Sequence, residues 1–367
     1  MSVSKSGSSS SPNAFALVLG GGAGTRLWPA SRRARPKQLL SLGGPESLLA
    51  ASVRRAKEIV GIERTLVVTA ADQEAAVRVA IPELPAANVV AEPVARNTAA
   101  AVGLGAVVAQ QRGGPDAVIA VLPADPYIAD EAAFAGLLRV AIAEARETIV
   151  TIGVRPTHPE TGFGYIRLGA KLPRTGAPVH DVGGFVEKPD RATAERYLSS
   201  GEYLWNSGMF FLTAGRMLDE ARRHLPALAA VLDAAAKAGD PTPIIRARYA
   251  DAPSISIDHG IMEKATGLRV VPGEFGWNDV GSWAAMPIVR PADARGNVVV
   301  GSETAVLDSD GNIVVAEEGA PYVGVLGVKD LVVVATRDAV LVIPKDRAQD
   351  VRQLVEAARK AGRDDLL

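Results

Sequence analysis

The chain holds 367 residues, enough for about two domains at roughly 150 residues each. Hydrophobic residues make up 48% and charged residues 22%, which excludes a disordered chain. The balance of 40 Lys and Arg against 41 Asp and Glu argues against a protein that coats nucleic acid or an anionic membrane. With no cysteine there are no disulfides, thiolate nucleophiles or Cys-ligated metals, and His158, His180, His224 and His259 lack zinc spacing. No apolar run reaches the roughly 18 residues of a membrane span. The polar start carries no secretory signal, so residues 1–13 are expected to be disordered and the protein cytoplasmic.

From Ala14 to Val154, β-branched runs alternate with stretches of helical period. Strands are expected at Phe15–Leu19, Arg64–Thr69, Asn88–Ala91, Ala117–Leu122 and Thr148–Val154. Helices are expected at Ser47–Val60, Asn97–Gln111 and Glu131–Ala145, the first capped by Ser47. Such βαβ alternation predicts an α/β, Rossmann-like, mostly parallel mixed sheet. Short strands (Gly164–Leu168, Asp181–Glu187, Leu204–Leu212) and helices (Arg191–Ser200, Ala214–His224) extend this domain to residue 290. Pro287 and Pro291 mark a boundary. Residues 291–367 then read as a small all-β module, β-helix or β-roll-like, of six short strands between Asn297 and Ile343. A terminal amphipathic helix follows, with Val351, Leu354, Val355 and Ala358 on one face and Gly362 as its stop.

The most informative segment is Leu19–Gln38, LGGGAGTRLWPASRRARPKQ, directly after the first strand. Gly20, Gly21, Gly22 and Gly24 can turn backbone N–H groups toward phosphate. A Walker A loop would need Gly-Lys-[Ser/Thr] where Gly24 is followed by Thr25-Arg26, and a dinucleotide fingerprint would need a third Gly where Leu27 stands. A glycine loop with Arg26 and Lys37 suits a triphosphate whose charge must be neutralised during reaction. The competing reading is a tight turn with surface basic residues.

This segment resembles the signature of the sugar-nucleotide pyrophosphorylases, and its Trp28-Pro29-x-Ser31-Arg32 continuation resembles the mannose-1-phosphate guanylyltransferase branch. Later segments follow in the family's order. Glu92-Pro93-x-x-Arg96-Asn97-Thr98 resembles a nucleotide-facing segment, with an Asn97 helix cap as the alternative. Leu122-Pro123-Ala124-Asp125 lies at a strand end, where α/β sheets bind ligands. Here Pro126 follows the Asp in place of the family's usual His. Thr161-Gly162-Phe163-Gly164-Tyr165 resembles the sugar-side loop, with Phe163 where Tyr is commoner. Glu187 and Lys188 would meet sugar hydroxyls and the sugar phosphate, and Asn206 and Gly208 further hydroxyls. Trp205, Met209 and Phe210 read as core. Ser256–Lys264 resembles a helix bordering the site, with individual roles open. Gly276–Trp283 resembles the second metal-binding segment.

The resemblance implies transfer of GMP from GTP to α-D-mannose 1-phosphate. Catalysis would fall to Arg26 and Lys37. The nucleotide would be bound by Leu19, Gly20, Gly21, Gly22, Gly24, Thr25, Glu92, Asn97, Thr98, Pro123 and Asp125. The sugar phosphate would be bound by Gly164, Glu187, Lys188, Asn206 and Gly208, and Mg²⁺ by Asp125 and Asp279. Alternatives are another nucleotide and sugar 1-phosphate pair, a silent GDP-mannose-binding regulator, and a nicotinamide oxidoreductase. No nucleic acid or membrane partner is expected. By analogy of fold, the β module serves homodimerisation or covers the catalytic domain. The short C-terminal region also predicts a transferase without the isomerase domain of larger family members.

Overall fold

The computed structural model describes residues 13–22, 24–173 and 177–367. The expected disordered start lies outside them except for Asn13, whose amide donates to Gly113 O at 2.8 Å. In chain order the strands are β1 (Ala14–Gly20), β2 (Thr65–Ala70), β3 (Val89–Glu92), β4 (Val118–Pro123), β5 (Tyr127–Ile128), β6 (Val150–Val154), β7 (Gly164–Lys171), β8 (His180–Glu187), β9 (Tyr203–Thr213), β10 (Arg269–Gly273) and β11 (Trp277–Asn278). The helices between them include α1 (Leu48–Val60), α2 (Glu74–Ala80), α3 (Asn97–Gly113) and α4 (Glu131–Glu144). Ser47 Oγ accepts from Ala50 N at 3.2 Å and so caps α1, a contact worth about 1 kcal/mol.

The chain packs as two compact units. The first comprises the described residues of Met1–Leu19, Val53–Pro123 and Asp130–Phe275. Its nine-stranded mixed sheet has the order β3-β2-β1-β4-β9-β6-β10-β8-β7. Pairs β2–β3, β1–β4 and β6–β10 are parallel, whereas β9 runs antiparallel to β4, β6 and β7. Strands buried on both faces explain the uninterrupted apolar runs of β1, β2 and β4. The core joins Leu17, Ile119 and Val121 to the small-residue face of α3 and to Phe210, Met217, Leu228 and Leu232. Trp205, Met209 and Phe210 are buried, as the sequence implies. The helix Pro226–Lys237 has no counterpart among the expected elements. The register sets Leu19 of β1 level with Pro123 of β4, so the two strands end within one residue of each other.

The second unit comprises Gly20–Ser52, Ala124–Ala129 and Gly276–Leu367. Short strands β5 and β11 pair antiparallel. Beyond them lie β12 (Val298–Val300), β13 (Thr304–Leu307), β14 (Ile313–Ala316), β15 (Val323–Leu326), β16 (Leu331–Ala335) and β17 (Val340–Pro344). The parallel rows β12-β14-β16 and β13-β15 are the rungs of a short β-helix, closed by antiparallel β17. One core holds Leu27 and Trp28 of the signature segment and Leu40 and Leu42 just after it, together with Trp283, Ile313, Val332 and Val355. In the terminal helix Val351 and Val355 are buried, but Leu354, expected on the same face, is 42% exposed.

Candidate active site

The glycine segment leaves the end of β1 and enters a single-turn helix at Thr25–Leu27. Leu27 and Trp28 are buried in the second unit's core, and the peptide bond before Pro29 is cis. Trp28 Nε1 donates to Leu366 O at 2.8 Å, and Trp283 Nε1 donates to Trp28 O at 3.0 Å. Arg32 pairs with Asp338 at 2.8 Å and Arg35 with Glu317 at 3.0 Å. These hydrogen bonds and ion pairs fix the polypeptide that follows Gly24. At Gly24 itself φ is +59°, and a Cβ would lie 2.3 Å from Lys37 Cβ, so no other residue fits. Gly21 and Gly22 are exposed and a Cβ at either meets nothing within 4 Å, which leaves their surroundings open to a ligand. Gly20 O accepts from Gln38 Nε2 at 2.9 Å.

Lys37 is buried. Its Nζ donates to Asp125 Oδ2 at 2.7 Å and to the backbone O of Asp279. The residues predicted to share a metal and to neutralise phosphate therefore meet within one unit. Asp279 is held above the ordinary carboxylate range by burial and by the Asp125 charge, against the opposing pull of Lys37 and Arg26. A Cβ on Gly281 would lie 2.8 Å from Asp279 Oδ2 and 3.4 Å from Arg26 Nη1, so the glycine leaves room for both groups. Arg26 Nη1 also donates to Gln349 Oε1 at 3.0 Å. Asp125 and Asp279 are oxygen donors, the type a hard cation takes. Among the described residues no third Asp, Glu or His joins them. Such a site leaves most coordination positions to water and ligand oxygens, as Mg²⁺ prefers and structural zinc does not.

The residues predicted for the sugar phosphate gather in the first unit. Glu187 ends β8, opposite Gly164 at the start of β7. A Cβ on Gly164 would lie 2.4 Å from Glu187 Oε2 and 3.5 Å from Asn206 Nδ2, so these two polar atoms flank one spot that only glycine leaves clear. Glu187 Oε1 takes Lys188 Nζ at 2.5 Å, whereas Oε2 is buried without a hydrogen-bond partner. A buried, unsatisfied carboxylate oxygen is costly unless a ligand donates to it. Lys188 adopts φ +48°, a sparsely populated conformation that turns the chain at the site. Gly208 also has positive φ, and its N–H donates to Asn206 Oδ1 at 3.1 Å.

The nucleotide segment is more occupied internally. Glu92 is buried and accepts from Tyr249 Oη at 2.6 Å. Burial raises the pKa of Glu92, opposed by the tyrosine hydrogen bond, and burial and the neighbouring Glu92 raise that of Tyr249. Asn97 opens α3 with φ +62°, its Oδ1 accepting from Thr98 N at 2.8 Å. Thr98 Oγ1 accepts from Ile257 N at 2.9 Å.

One side chain bordering the site has no role assigned from sequence. Asp258 is half-buried and its Oδ1 accepts from Asn206 Nδ2 at 2.8 Å. Desolvation first, and the Glu187 charge second, push its pKa up to about 6. The available signal is a carboxylate set among the apolar residues Ile257, Ile261 and Met262.

In the second unit a glycine segment that follows a parallel strand, with Lys37 on Asp125 and Asp279, suits nucleotidyl transfer. The chain belongs to the Nucleotidyl transferase family, which matches residues 15–294, and residues 302–357 match the MannoseP isomerase/GMP-like beta-helix domain. The chain is 42% identical over 355 residues to xanthan biosynthesis protein XanB of Xanthomonas campestris pv. campestris (strain B100), covering 95% of this chain and 73% of that protein. It is 39% identical to mannose-1-phosphate guanylyltransferase of Klebsiella pneumoniae, covering 93% and 73%. The crystal structure of "mannose-1-phosphate geranyltransferase" from Thermus thermophilus superposes with a TM-score of 0.85 at 41% identity, covering 95% of this chain and 99% of that one. Enzymes of this family generally use a divalent cation. No described helix is long and apolar enough to cross a membrane.

Proposed function

We propose that this chain converts GTP and α-D-mannose 1-phosphate to GDP-mannose and pyrophosphate. A phosphate oxygen of the sugar phosphate forms a bond to the α-phosphorus of GTP. The bond from that phosphorus to the oxygen bridging to the β-phosphate breaks in line, and its electron pair leaves with pyrophosphate. The nucleophile is already an anion at neutral pH, so no general base is required. Catalysis then consists of aligning two polyanions and neutralising charge. Arg26 and Lys37 are the cations for the triphosphate and the developing pyrophosphate, and Gly20, Gly21, Gly22, Gly24 and Thr25 offer it backbone N–H groups. Asp125 and Asp279 would hold Mg²⁺, which when bound neutralises phosphate oxygens. Leu19 and Pro123 close the strands that deliver these groups. Glu92, Asn97 and Thr98 shape the nucleotide segment. Lys188 secures the attacking phosphate, while Glu187, Asn206, Gly164 and Gly208 receive the sugar.

The observation that carries this reading is the Lys37 ammonium bonded to both Asp125 and Asp279 behind a glycine loop. The choice of GTP and mannose 1-phosphate is supported by the names of the relatives. The test is pyrophosphate release with Mg²⁺ over four nucleoside triphosphates and several sugar 1-phosphates. Turnover restricted to GTP with mannose 1-phosphate is expected. Preference for another pair replaces the specificity, and no turnover with any pair overturns the reading.

A further inference from the structure

The Ser256–Lys264 motif takes no part in the mechanism above, yet it forms a junction in the first unit. Ile255 O accepts from Ala99 N at 3.2 Å and Ile257 N donates to Thr98 Oγ1 at 2.9 Å, which ties the segment to the start of α3. Asp258–Met262 is a π-helical turn, a form that recurs at functional sites, and it is anchored by the buried Ile257, Ile261 and Met262. Two carboxylates project from the segment toward the sugar-side residues. Asp258 Oδ1 accepts from Asn206 Nδ2 at 2.8 Å, and Glu263 Oε1 accepts from the Glu187 backbone N–H at 3.2 Å.

Asp258 and Gly208 together fix which way the Asn206 amide faces. Gly208 N can only donate, and it meets Asn206 Oδ1. An ionised carboxylate can only accept, and Asp258 meets Nδ2. Rotating the amide by half a turn would set donor against donor and acceptor against acceptor. In the observed orientation one Nδ2 hydrogen goes to Asp258 and the other is left for a ligand. Glu187 Oε2, buried and without a partner, lies across the Gly164 spot as the complementary acceptor. Among the described residues the charged groups that face Asp258, besides the neutral Asn206 amide, are Glu187 and Lys188.

We infer that Asp258 is a positioning residue for the sugar, acting through Asn206: it holds the amide so that one N–H and the Glu187 oxygen together receive neighbouring sugar hydroxyls. This rests on the sugar role proposed for Asn206 and Glu187. The experiment is steady-state kinetics with GTP, mannose 1-phosphate and Mg²⁺ on wild type, D258A, D258N, N206A and N206A/D258A, each checked for folding by circular dichroism. D258A should raise the KM for mannose 1-phosphate about tenfold or more and leave that for GTP within about twofold, the loss of one charge-assisted hydrogen bond. D258N keeps an acceptor oxygen and should stay within about threefold of wild type. In the N206A background D258A should have no further effect, because residues that act in series do not add. Equal rises in both KM values, additive effects in the double variant, or D258N as impaired as D258A would each overturn the inference. Should D258A fail to fold, D258N alone decides, since a tenfold rise there removes the acceptor role. A wild-type enzyme silent with this substrate pair fails the proposed function instead, and the same variants are then run on the pair it turns over.

Discussion

Two pairs of acidic residues, Asp125 with Asp279 and Glu187 with Asp258, are furnished differently. Asp125 and Asp279 are accompanied by two cations, Lys37 bonded to both residues and Arg26 close to Asp279. Among the described residues Glu187 and Asp258 share one cation, the exposed Lys188, and one Glu187 oxygen is left unsatisfied. The first pair, with cations beside it, suits phosphate and metal chemistry, where positive charge must be in place before the polyanion arrives. The second, short of donors, suits neutral hydroxyls that donate. A desolvated carboxylate therefore indicates different ligands according to what already satisfies it.

The largest expected effect tests the first pair. Lys37→Ala should lower kcat by about 10²–10³-fold, as for other preorganised charge partners of a transition state. A normal kcat in that variant would remove Lys37 from catalysis. Next comes Gly164→Ala. The added methyl would collide with Glu187 Oε2 at 2.4 Å, the movable end of a side chain, so the protein should fold and melt close to wild type. The displaced carboxylate should raise the KM for the sugar phosphate about tenfold, and an unchanged KM would show that Glu187 does not meet the sugar. The smallest effect is on stability against pH. Asp258 holds its proton more tightly in the folded chain, with a pKa of about 6 against an ordinary value of 3.8. Its stabilising contribution is full below 3.8 and is lost as pH rises through about 6. Urea midpoints of wild type should therefore fall relative to D258N between those values, and parallel curves would contradict the shift.

Much of this is legible in the chain because its determinants are local. Buried strands announce themselves as apolar runs, and the glycine segment lies where β1 must end. Lys37, Asp125 and Asp279 can be named singly, but no spacing states that an ammonium will reach both aspartates across 88 and 242 residues. The packing of Leu27, Trp28 and Leu40 with the β-helix residues Ile313 and Val332 is equally non-local. Asp258 stands inside a motif visible in the sequence, but its role depends on the amide of Asn206, 52 residues away. Glu92 is readable as a polar residue in a nucleotide segment, and its bond to Tyr249 is not.

The division of labour between the two pairs is tested most directly by titrating both Mg²⁺ and mannose 1-phosphate in Asp279→Asn and Asn206→Ala. Asp279→Asn should raise the Mg²⁺ needed for half-maximal rate about tenfold or more while leaving the sugar KM within about threefold. Asn206→Ala should do the reverse. Variants that shift both requirements alike would contradict the account.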